Sequence, residues 1–436
     1  MFAKRNATTV VLLIILMTLS ISPCLAAPRN IILMIGDGMG PDVSKAAGAY
    51  KFGPEYHAFG GQSYLVMEKL KSHLYVTTFS IEGKYDPGWN NGNKEYPKRR
   101  PTDSAAAATA LATGVKTFDG AIGVDQQKKP LVNIMEIARQ KGLKTGVVTT
   151  VPFCHATPAS FAAHVGNRSD YNLIAGQMLF ESKLDLIMGG GHPEAFKKGQ
   201  EYTYLSQDDW VSLKSSSTLY KLAESREDFK ALAEGAKHAK VFGLFKGGSL
   251  KYRLADGSGA APDQPTLAEM TAGALSVLEK GNGFVLMVEG GAIDFANHAN
   301  NLNQSIGETL GFDEAVATVI NWIETHGGWQ ENLLLITADH DTGYMHNVKP
   351  GPAGTLPTVS WGTDGKWLSH TNRLVDLYYQ GSGSEILEKL ARELLDFERG
   401  KVKVIDNTDI FKTMFEALKA GKPSADAGAY SLRRAA

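Results

Sequence analysis

Short runs of apolar residues recur along the chain, and each is followed within a few positions by a polar residue able to do chemistry. Residues 31–35 read Ile-Ile-Leu-Met-Ile before Gly-Asp-Gly, and residues 284–288 and 332–337 have a similar form before Glu289 and before Ala-Asp-His. A continuous apolar run of strand length is typical of a parallel strand that is buried on both faces. Because such runs alternate with helical patterns, the sequence predicts an α/β three-layer sandwich around a large, mostly parallel sheet.

The periodicity of apolar residues predicts further elements between these runs. Strands are also predicted at residues 144–151 and 184–188. Helices are predicted at residues 41–49, 131–141, 161–165, 226–237, 266–280 and 308–326. Polar stretches rich in Gly and Pro predict loops at residues 86–100 and 345–365.

The length of the chain allows a large core. Its 436 residues are 43% hydrophobic and 21% charged, with a formal net charge of -1. We expect one catalytic domain over residues 27–436, in which the less regular segments 195–265 and 345–365 are peripheral insertions. A near-neutral balance provides no basic surface for nucleic acid, so nucleic acid is not an expected partner.

The N-terminus has the pattern of a secretory signal. A basic pair at residues 4–5 precedes an apolar run at 10–21 and small residues at 24–27. We expect residues 1–26 to be removed and the protein to be periplasmic or secreted. No later segment is long and apolar enough to span a bilayer. A retained anchor, or lipid attachment at Cys24, is the alternative.

After removal of the signal, Cys154 is the single cysteine of the chain, so an intrachain disulfide is impossible. It directly precedes His155. Two interpretations remain open at this point: a small buried thiol, or a thiolate that binds a metal ion.

Residues 101–116 form a loop that ends in an alanine-rich helix, with Ser104 at the junction. Asp103 or Ser104 can cap the first turn of this helix. The positive end of a helix dipole suits an anion, and it suits a serine that becomes an alkoxide. An ordinary N-cap serine is the simpler interpretation, and only the other residues of the chain favour a nucleophile.

Polar residues able to bind metals or carry out catalysis cluster at the predicted strand ends, close to Ser104. The remaining members of this set are Asp37, His155, Thr157, Glu289, Asp294, His298, Asp339, His340 and His370. Carboxylates brought together in this way repel each other unless cations share the site. Histidine mixed with carboxylate is the ligand set that zinc prefers, whereas an all-oxygen set suits magnesium.

The spacing of two pairs agrees with metal binding. Asp294 and His298 are four residues apart and share one face of a helical turn. Asp339 and His340 are adjacent, so both can reach one ion from a loop but not from a strand. Taken alone, neither pair indicates a metal site. Asp294 and His298 could be a surface pair, and His340 could be a buried core histidine. The joint placement of all these residues is what favours a metal site.

Seven segments in fixed order show a family resemblance between about residues 30 and 380. They are Met-Ile-Gly-Asp37-Gly-Met-Gly, Thr-Asp-Ser104-Ala-Ala, His155-Ala-Thr-Pro-Ala with Arg168, Pro265-Thr-Leu-Ala-Glu-Met270, Glu289-Gly-Gly-Ala-Ile-Asp294, Thr337-Ala-Asp-His-Asp-Thr-Gly343 and His370-Thr-Asn372. By these segments the chain resembles the bacterial alkaline phosphatases.

The resemblance implies two zinc ions and a third metal site, usually magnesium, next to Ser104. The first zinc ion would be held by Asp294, His298 and His370. The second would be held by Asp37, Asp339 and His340. The third site would share Asp37 and be completed by Thr157 and Glu289.

The resemblance also implies the reaction. Ser104 would attack phosphate monoesters and form a phosphoserine intermediate, while Arg168 grips two phosphoryl oxygens with parallel N–H groups. Zinc-assisted chemistry of this kind predicts an alkaline optimum. The family further implies a homodimer.

Two positions depart from the pattern. His155 stands where the best-known bacterial members have Asp, so we expect a weaker or altered third site that accepts magnesium, zinc or cobalt. Phe295 stands where some relatives place Lys or His, so we expect phosphate to be held less tightly.

Two other functions remain open. A phosphodiesterase or sulfatase could use the same core, although Ser104 with Arg168 favours a dianionic monoester. An exported protein that binds phosphate or metal without turnover is the third reading, and it would not need Ser104.

Overall fold

The computed structural model describes residues 27–85, 99–215, 217–229, 240–246, 253–261, 263–363, 370–396 and 398–420. The predicted signal lies outside these residues, as does most of the helix predicted at 226–237. The strands, numbered in chain order, are β1 Asn30–Gly36, β2 Ser72–Thr77, β3 Lys144–Pro152, β4 Leu186–Gly190, β5 Tyr220–Ala223, β6 Lys240–Leu244, β7 Phe284–Gly290, β8 Asn332–Thr337, β9 Asp341–Thr342, β10 Met345–Lys349, β11 Thr358–Trp361, β12 His370–Thr371, β13 Val375–Gly381, β14 Arg392–Asp396 and β15 Gly400–Asp406.

Eleven of these strands form one large sheet in the order β14-β15-β2-β13-β8-β1-β7-β3-β4-β6-β5. From β8 to β5 every neighbouring pair is parallel. Only β13 and β14 run antiparallel to their neighbours. Every residue of β1, β7 and β8 is buried, as the uninterrupted apolar runs predict for strands covered on both faces.

The helices pack on this sheet in two groups. They are α1 Pro41–Phe52, α2 Ser104–Thr113, α3 Ile134–Gln140, α4 Ala156–Ser160, α5 Tyr171–Gly176, α6 Gln207–Lys214, α7 Leu267–Leu278, α8 Ala292–His298, α9 Leu302–Thr325, α10 Gly328–Glu331, α11 Glu385–Leu390 and α12 Asn407–Ala420. In one group α9 packs against α1, α7 and α8, and in the other α2 packs against α3, α4 and α12. The predicted α/β sandwich with a mostly parallel sheet is therefore confirmed.

Short polar signals set the helix ends. Asn133 and Glu136 form a capping box at the start of α3, and Thr266 and Glu269 form one at the start of α7. The long helix α9 begins six residues before the predicted position 308, because Asn301 accepts a hydrogen bond from the backbone of its first turn.

Two local predictions are wrong. The helix predicted at 161–165 lies instead at Ala156–Ser160, where Pro158 fits the first turn, and Val165 pairs with Ile122. The loop predicted at 345–365 contains the antiparallel pair β10 and β11, and its Gly- and Pro-rich residues occupy the connection between them.

The segment predicted as an insertion at 195–265 supplies β5 and β6, which extend one edge of the main sheet. It also supplies α6. Its description as peripheral to a single catalytic domain stays a prediction.

Candidate active site

Four neighbouring strands deliver the predicted site residues to one edge of the sheet. In the order β8-β1-β7-β3, Ile35 pairs with Thr337 and with Glu289, and Glu289 pairs with Thr149. Strands β8, β1 and β7 end within one residue of this level and β3 ends three residues beyond it, so the residues that follow them lie at one edge. Parallel sheets bind ligands at this carboxyl edge.

The first cluster joins Asp294 and His298 of α8 with His370 of β12. The Nε2 atom of His298 lies 3.2 Å from Asp294 Oδ2 and 3.1 Å from His370 Nε2. His370 Nε2 is also 3.6 Å from Asp294 Oδ1. The Nδ1 atom of His370 faces the backbone oxygen of Thr102 at 2.9 Å, which directs its Nε2 into the cluster. We call these three residues the first triad.

The second cluster consists of Asp37, Asp339 and His340, all fully buried. The Nε2 atom of His340 lies 3.3 Å from Asp339 Oδ2 and 3.6 Å from Asp37 Oδ1. Asp339 and His340 follow the end of β8 on a loop, so both side chains reach the same point. We call these residues the second triad. The hydroxyl of Ser104 is 3.1 Å from the same His340 nitrogen, so the serine adjoins this triad.

Ser104 is the first residue of α2, and Asp103 caps the helix by accepting a hydrogen bond from the backbone of Ala106 at 2.9 Å. The other carboxylate oxygen of Asp103 accepts a hydrogen bond from Arg168 Nη1 at 2.9 Å. Asp103 thereby fixes both the helix that carries the serine and the guanidinium beside it. The second terminal nitrogen of Arg168 lies 3.2 Å from His155 Nε2.

The predicted third site lies beside the second triad. Thr157 and Glu289 are fully buried, and the hydroxyl of Thr149 donates a short hydrogen bond to Glu289. His155 is brought against Arg168, and its ring meets Phe295 edge-on at 5.4 Å. His155 therefore contacts the arginine that the sequence predicts to bind phosphate.

Burial and mutual repulsion shift the titration of the carboxylates. Burial, then Asp339 and Asp294, raise the pKa of Asp37 well above its usual range. Burial raises the pKa of Asp339 to about 8 and that of Glu289 to about 7. In Asp294, burial raises the pKa but His298 and further imidazoles outweigh it, so that the net shift is downward. Without cations, the group thus resists carrying its full negative charge.

The pKa values of three imidazoles, those of His155, His340 and His370, are shifted towards the neutral form that binds metals. Burial, followed by the charge of Arg168, lowers the pKa of His155 to about 3. Burial, followed by the proximity of His370, lowers the pKa of His340 well below its usual value. Burial also lowers the pKa of His370.

Several buried oxygen atoms at this edge have no hydrogen-bond partner among the described residues. They are both carboxylate oxygens of Asp37, Thr157 Oγ1, Glu289 Oε1 and Asp339 Oδ2. Buried polar groups are normally paired, so this concentration indicates a further partner. Oxygen atoms without nearby donors, next to two clusters of imidazole and carboxylate, fit divalent cations.

A cavity of about 730 Å³ opens onto Ser104. Its wall includes Arg168 and residues of the first triad, and further out Asp119, Tyr171 and Phe295.

The sequence did not predict the supporting residues. Thr342 contacts both triads, and Arg373 forms ion pairs with Asp42 and Glu398. Thr342 lies within the segment 337–343 and Arg373 directly follows the segment 370–372, and both segments showed the family resemblance. Their position in these motifs was the signal that could have identified them. Cys154 is buried, its thiol donates to the backbone oxygen of Tyr204 at 3.2 Å, and burial raises its pKa, as expected for a structural thiol.

Residues 28–401 match the family model of alkaline phosphatase. The chain is 32% identical to alkaline phosphatase 3 of Bacillus subtilis over 321 residues, which cover 72% of this chain and 61% of the relative. It is 31% identical to the alkaline phosphatase of Escherichia coli over 432 residues, which cover 89% of this chain and 86% of that protein. The chain thus spans about three fifths of the Bacillus relative and most of the Escherichia coli relative.

Solved structures give the same likeness. The alkaline phosphatase of the Antarctic bacterium TAB5 superimposes with a TM-score of 0.64 at 26% identity, covering 91% of this chain and 99% of that one. A histidine-to-aspartate variant of that enzyme has been solved with Mg bound in its M3 site.

Among the described residues, no helix combines the length and apolar character that crossing a bilayer requires.

Proposed function

The chain belongs to the alkaline phosphatase family, and we propose that it hydrolyses phosphate monoesters through a phosphoserine intermediate on Ser104. The observation that carries the proposal is that Ser104 contacts His340 of the second triad and lines the same cavity as Arg168. A nucleophile, an anion-binding guanidinium and the first triad then line one cavity, and the second triad adjoins the nucleophile from behind the cavity wall.

The two triads would each hold a zinc ion, and Asp37, Thr157 and Glu289 would hold magnesium. The unpartnered oxygens of these residues support this assignment. When bound, such ions supply Lewis acidity that lowers the pKa of a hydroxyl or water and neutralises charge on the entering and leaving oxygens.

Arg168 positions the substrate. Its Nη1 atom is held by Asp103, and the guanidinium faces the cavity, where its N–H groups can bind phosphoryl oxygens. The dianionic charge of a monoester matches this cation. Ser104 lies at the positive end of α2, whose free N–H groups favour negative charge on the serine oxygen and on the phosphoryl group.

The reaction then has two halves. The oxygen of Ser104 forms a bond to phosphorus while the bond between phosphorus and the alcohol oxygen breaks. Water next attacks the phosphoserine, phosphate leaves, and the serine hydroxyl is restored. Arg168 holds the phosphoryl group through both steps.

His155 and Phe295 would set this enzyme apart from members with Asp and Lys or His at these positions. His155 is neutral and contacts Arg168, so it competes only weakly with phosphate for the guanidinium. Because it is neutral, it also offers no negative charge to the third site. We propose that magnesium binds there weakly. We also propose export after removal of residues 1–26, and assembly as a homodimer, as the family implies.

The test compares two nitrophenyl substrates. The zinc- and magnesium-loaded protein is expected to cleave p-nitrophenyl phosphate at least about a hundredfold faster than bis-p-nitrophenyl phosphate, because Arg168 and the cations favour the dianion. Faster cleavage of the diester, or of a sulfate ester, would favour the phosphodiesterase or sulfatase reading. Tight binding of phosphate without turnover would favour the binding-protein reading.

A further inference from the structure

Thr342 contacts residues of both triads, although it can supply neither triad with a charge. Its side chain is fully buried. The hydroxyl oxygen lies 2.6 Å from Asp294 Oδ1 of the first triad and 3.2 Å from His340 Nδ1 of the second. Thr342 is also the cross-strand partner of His370, the remaining imidazole of the first triad.

The hydrogen-bonding capacity of these groups fixes the direction of both bonds. A threonine hydroxyl has one proton and accepts through its lone pairs. A distance of 2.6 Å is typical of an O–H group that donates to a carboxylate, so the proton points at Asp294. The oxygen can then only accept from His340, whose Nδ1 must carry the ring proton. The lone pair of His340 is thereby placed on Nε2, which faces Asp37, Asp339 and Ser104.

The backbone leaves room for this bridge only because residue 38 is glycine. Gly38 has a φ of +66°, and a Cβ atom there would lie 2.7 Å from Asp294 Oδ1 and 2.8 Å from Thr342 Oγ1. Its carbonyl oxygen accepts hydrogen bonds from Asn297 Nδ2 at 3.0 Å and from the backbone of Thr342 at 3.3 Å. The loop that carries Asp37 therefore packs directly against the bridge.

We propose that Thr342 is a positioning residue that joins the two triads: its single hydroxyl fixes the tautomer of His340 and orients Asp294 at the same time. The proposal rests on the proposed function, because it takes both triads as zinc sites. A hydrogen bond to the second nitrogen of a metal-binding histidine commonly changes metal affinity by about 10- to 100-fold. Because one hydroxyl supports ligands of both sites, its loss weakens both ions together.

The experiment uses the zinc-loaded full chain and three variants. Thr342→Val removes the hydroxyl and keeps the branched shape, and Thr342→Ser keeps the hydroxyl. Thr371→Val is the matched control, because its hydroxyl donates a bond of the same 2.6 Å length to Asp341 in the same small sheet, outside the triads. Zinc affinity is measured by titration with a competing chelator.

We expect Thr342→Val to lower the affinity for both zinc ions by about 10- to 100-fold, and Thr342→Ser and Thr371→Val to stay within about threefold of the parent protein. A second measurement follows the Nδ1 proton of His340 by NMR of the protein labelled with ¹⁵N-histidine. This proton is expected to exchange slowly in the parent, Thr342→Ser and Thr371→Val proteins and at least about tenfold faster in Thr342→Val.

Three results would overturn the bridge. They are unchanged zinc affinity in Thr342→Val, equal losses in Thr342→Val and Thr371→Val, and an equal loss in Thr342→Ser. Neither measurement needs turnover, so the two proposals fail in different ways. A parent protein that binds no zinc contradicts the proposed function, whereas normal zinc binding with no effect of Thr342→Val contradicts the bridge alone.

Discussion

Two neighbouring groups of charged side chains in this protein differ in how their charges are met. In the arginine cluster, Arg373 forms ion pairs with Asp42 at 2.6 Å, with Glu398 at 3.0 Å and with Asp341 at 3.7 Å. Arg373 also donates to the backbone oxygen of Met345. This cluster supplies its own counter-charge.

The metal-binding cluster, which comprises the two triads with Thr157 and Glu289, is more deeply buried than Asp42 and Glu398, and it contains no arginine or lysine. The nearest cation, Arg168, is already paired with Asp103. The carboxylates raise each other's pKa, and several of their oxygens have no donor within the described residues. Burying charges without partners is costly, so the carboxylates hold protons more tightly when cations are absent and carry their full charge only when ions bind. We infer from this difference that the arginine cluster stabilises the fold, whereas the metal-binding cluster serves the proposed reaction.

Replacing Ser104 should have the largest effect of all on the rate of hydrolysis. It should also separate catalysis from stability, because it leaves the fold and the metal content unchanged. Ser104→Ala is expected to lower the rate of p-nitrophenyl phosphate hydrolysis at least about a thousandfold, because no other hydroxyl can form the phosphoserine. Zinc content and melting temperature are expected to stay within error, since the serine adjoins the metal-binding cluster without pairing any of its charges. Substantial residual hydrolysis with full zinc content would contradict a covalent role for Ser104.

Removing the cation of the arginine cluster should instead lower the stability of the protein. Arg373→Met removes the cation that faces the buried carboxylate of Asp341 and the partly exposed carboxylate of Asp42, so we expect the free energy of unfolding to fall by about 3 kcal/mol. Urea denaturation of the zinc-loaded protein measures it. Lys401→Met is the control, because its ion pair with Glu393 is exposed and its loss should cost at most about 1 kcal/mol. Equal, small losses in both variants would remove the contrast between the clusters.

The third metal site offers a finer test. His155→Asp adds a carboxylate that magnesium prefers over imidazole, so we expect the concentration of Mg²⁺ giving half-maximal activation to fall by about tenfold. Activation is measured after chelation and reloading with zinc alone. A parent protein that already saturates at the same Mg²⁺ concentration as the variant would show that His155 does not weaken the site.

Asp119 belongs to neither cluster and should give the smallest effect. Burial, followed by the charge of Asp103, raises its pKa from 3.8 to about 6. The folded protein therefore binds this proton more tightly than the unfolded chain, and the stability contributed by the site falls as the pH rises from about 4 to 6. Asp119→Asn lacks this penalty, so we expect its melting temperature to exceed that of the parent by about 2 °C at pH 7.5.

That advantage should shrink towards pH 4.5, where Asp119 is protonated in the folded protein. Differential scanning calorimetry at both pH values checks it. A constant difference between the variant and its parent across this range would show that the carboxyl does not titrate there.

Much of the site could be predicted from the sequence, because its residues directly follow recognisable strands. Strand ends of a parallel sheet meet at one edge, so local patterns sufficed to bring Asp37, Glu289 and Asp339 together. The role of Thr342 was not accessible in this way, since it depends on bond lengths between side chains. The ion pair of Arg373 could not be predicted for a related reason. Its partner Asp42 is 331 positions away in the sequence, and no local pattern indicates the pair.

We propose that the acids and imidazoles of the metal-binding cluster support hydrolysis only when divalent ions bind to them. The most direct test of this proposal is a zinc titration of the chelated protein, with bound metal and p-nitrophenyl phosphate hydrolysis measured at each point. The account predicts that hydrolysis is absent without metal and rises as two zinc ions bind per chain, and that Asp37→Asn fails to bind the second ion. Full hydrolysis by the metal-free protein, or zinc binding unaffected by Asp37→Asn, would contradict it.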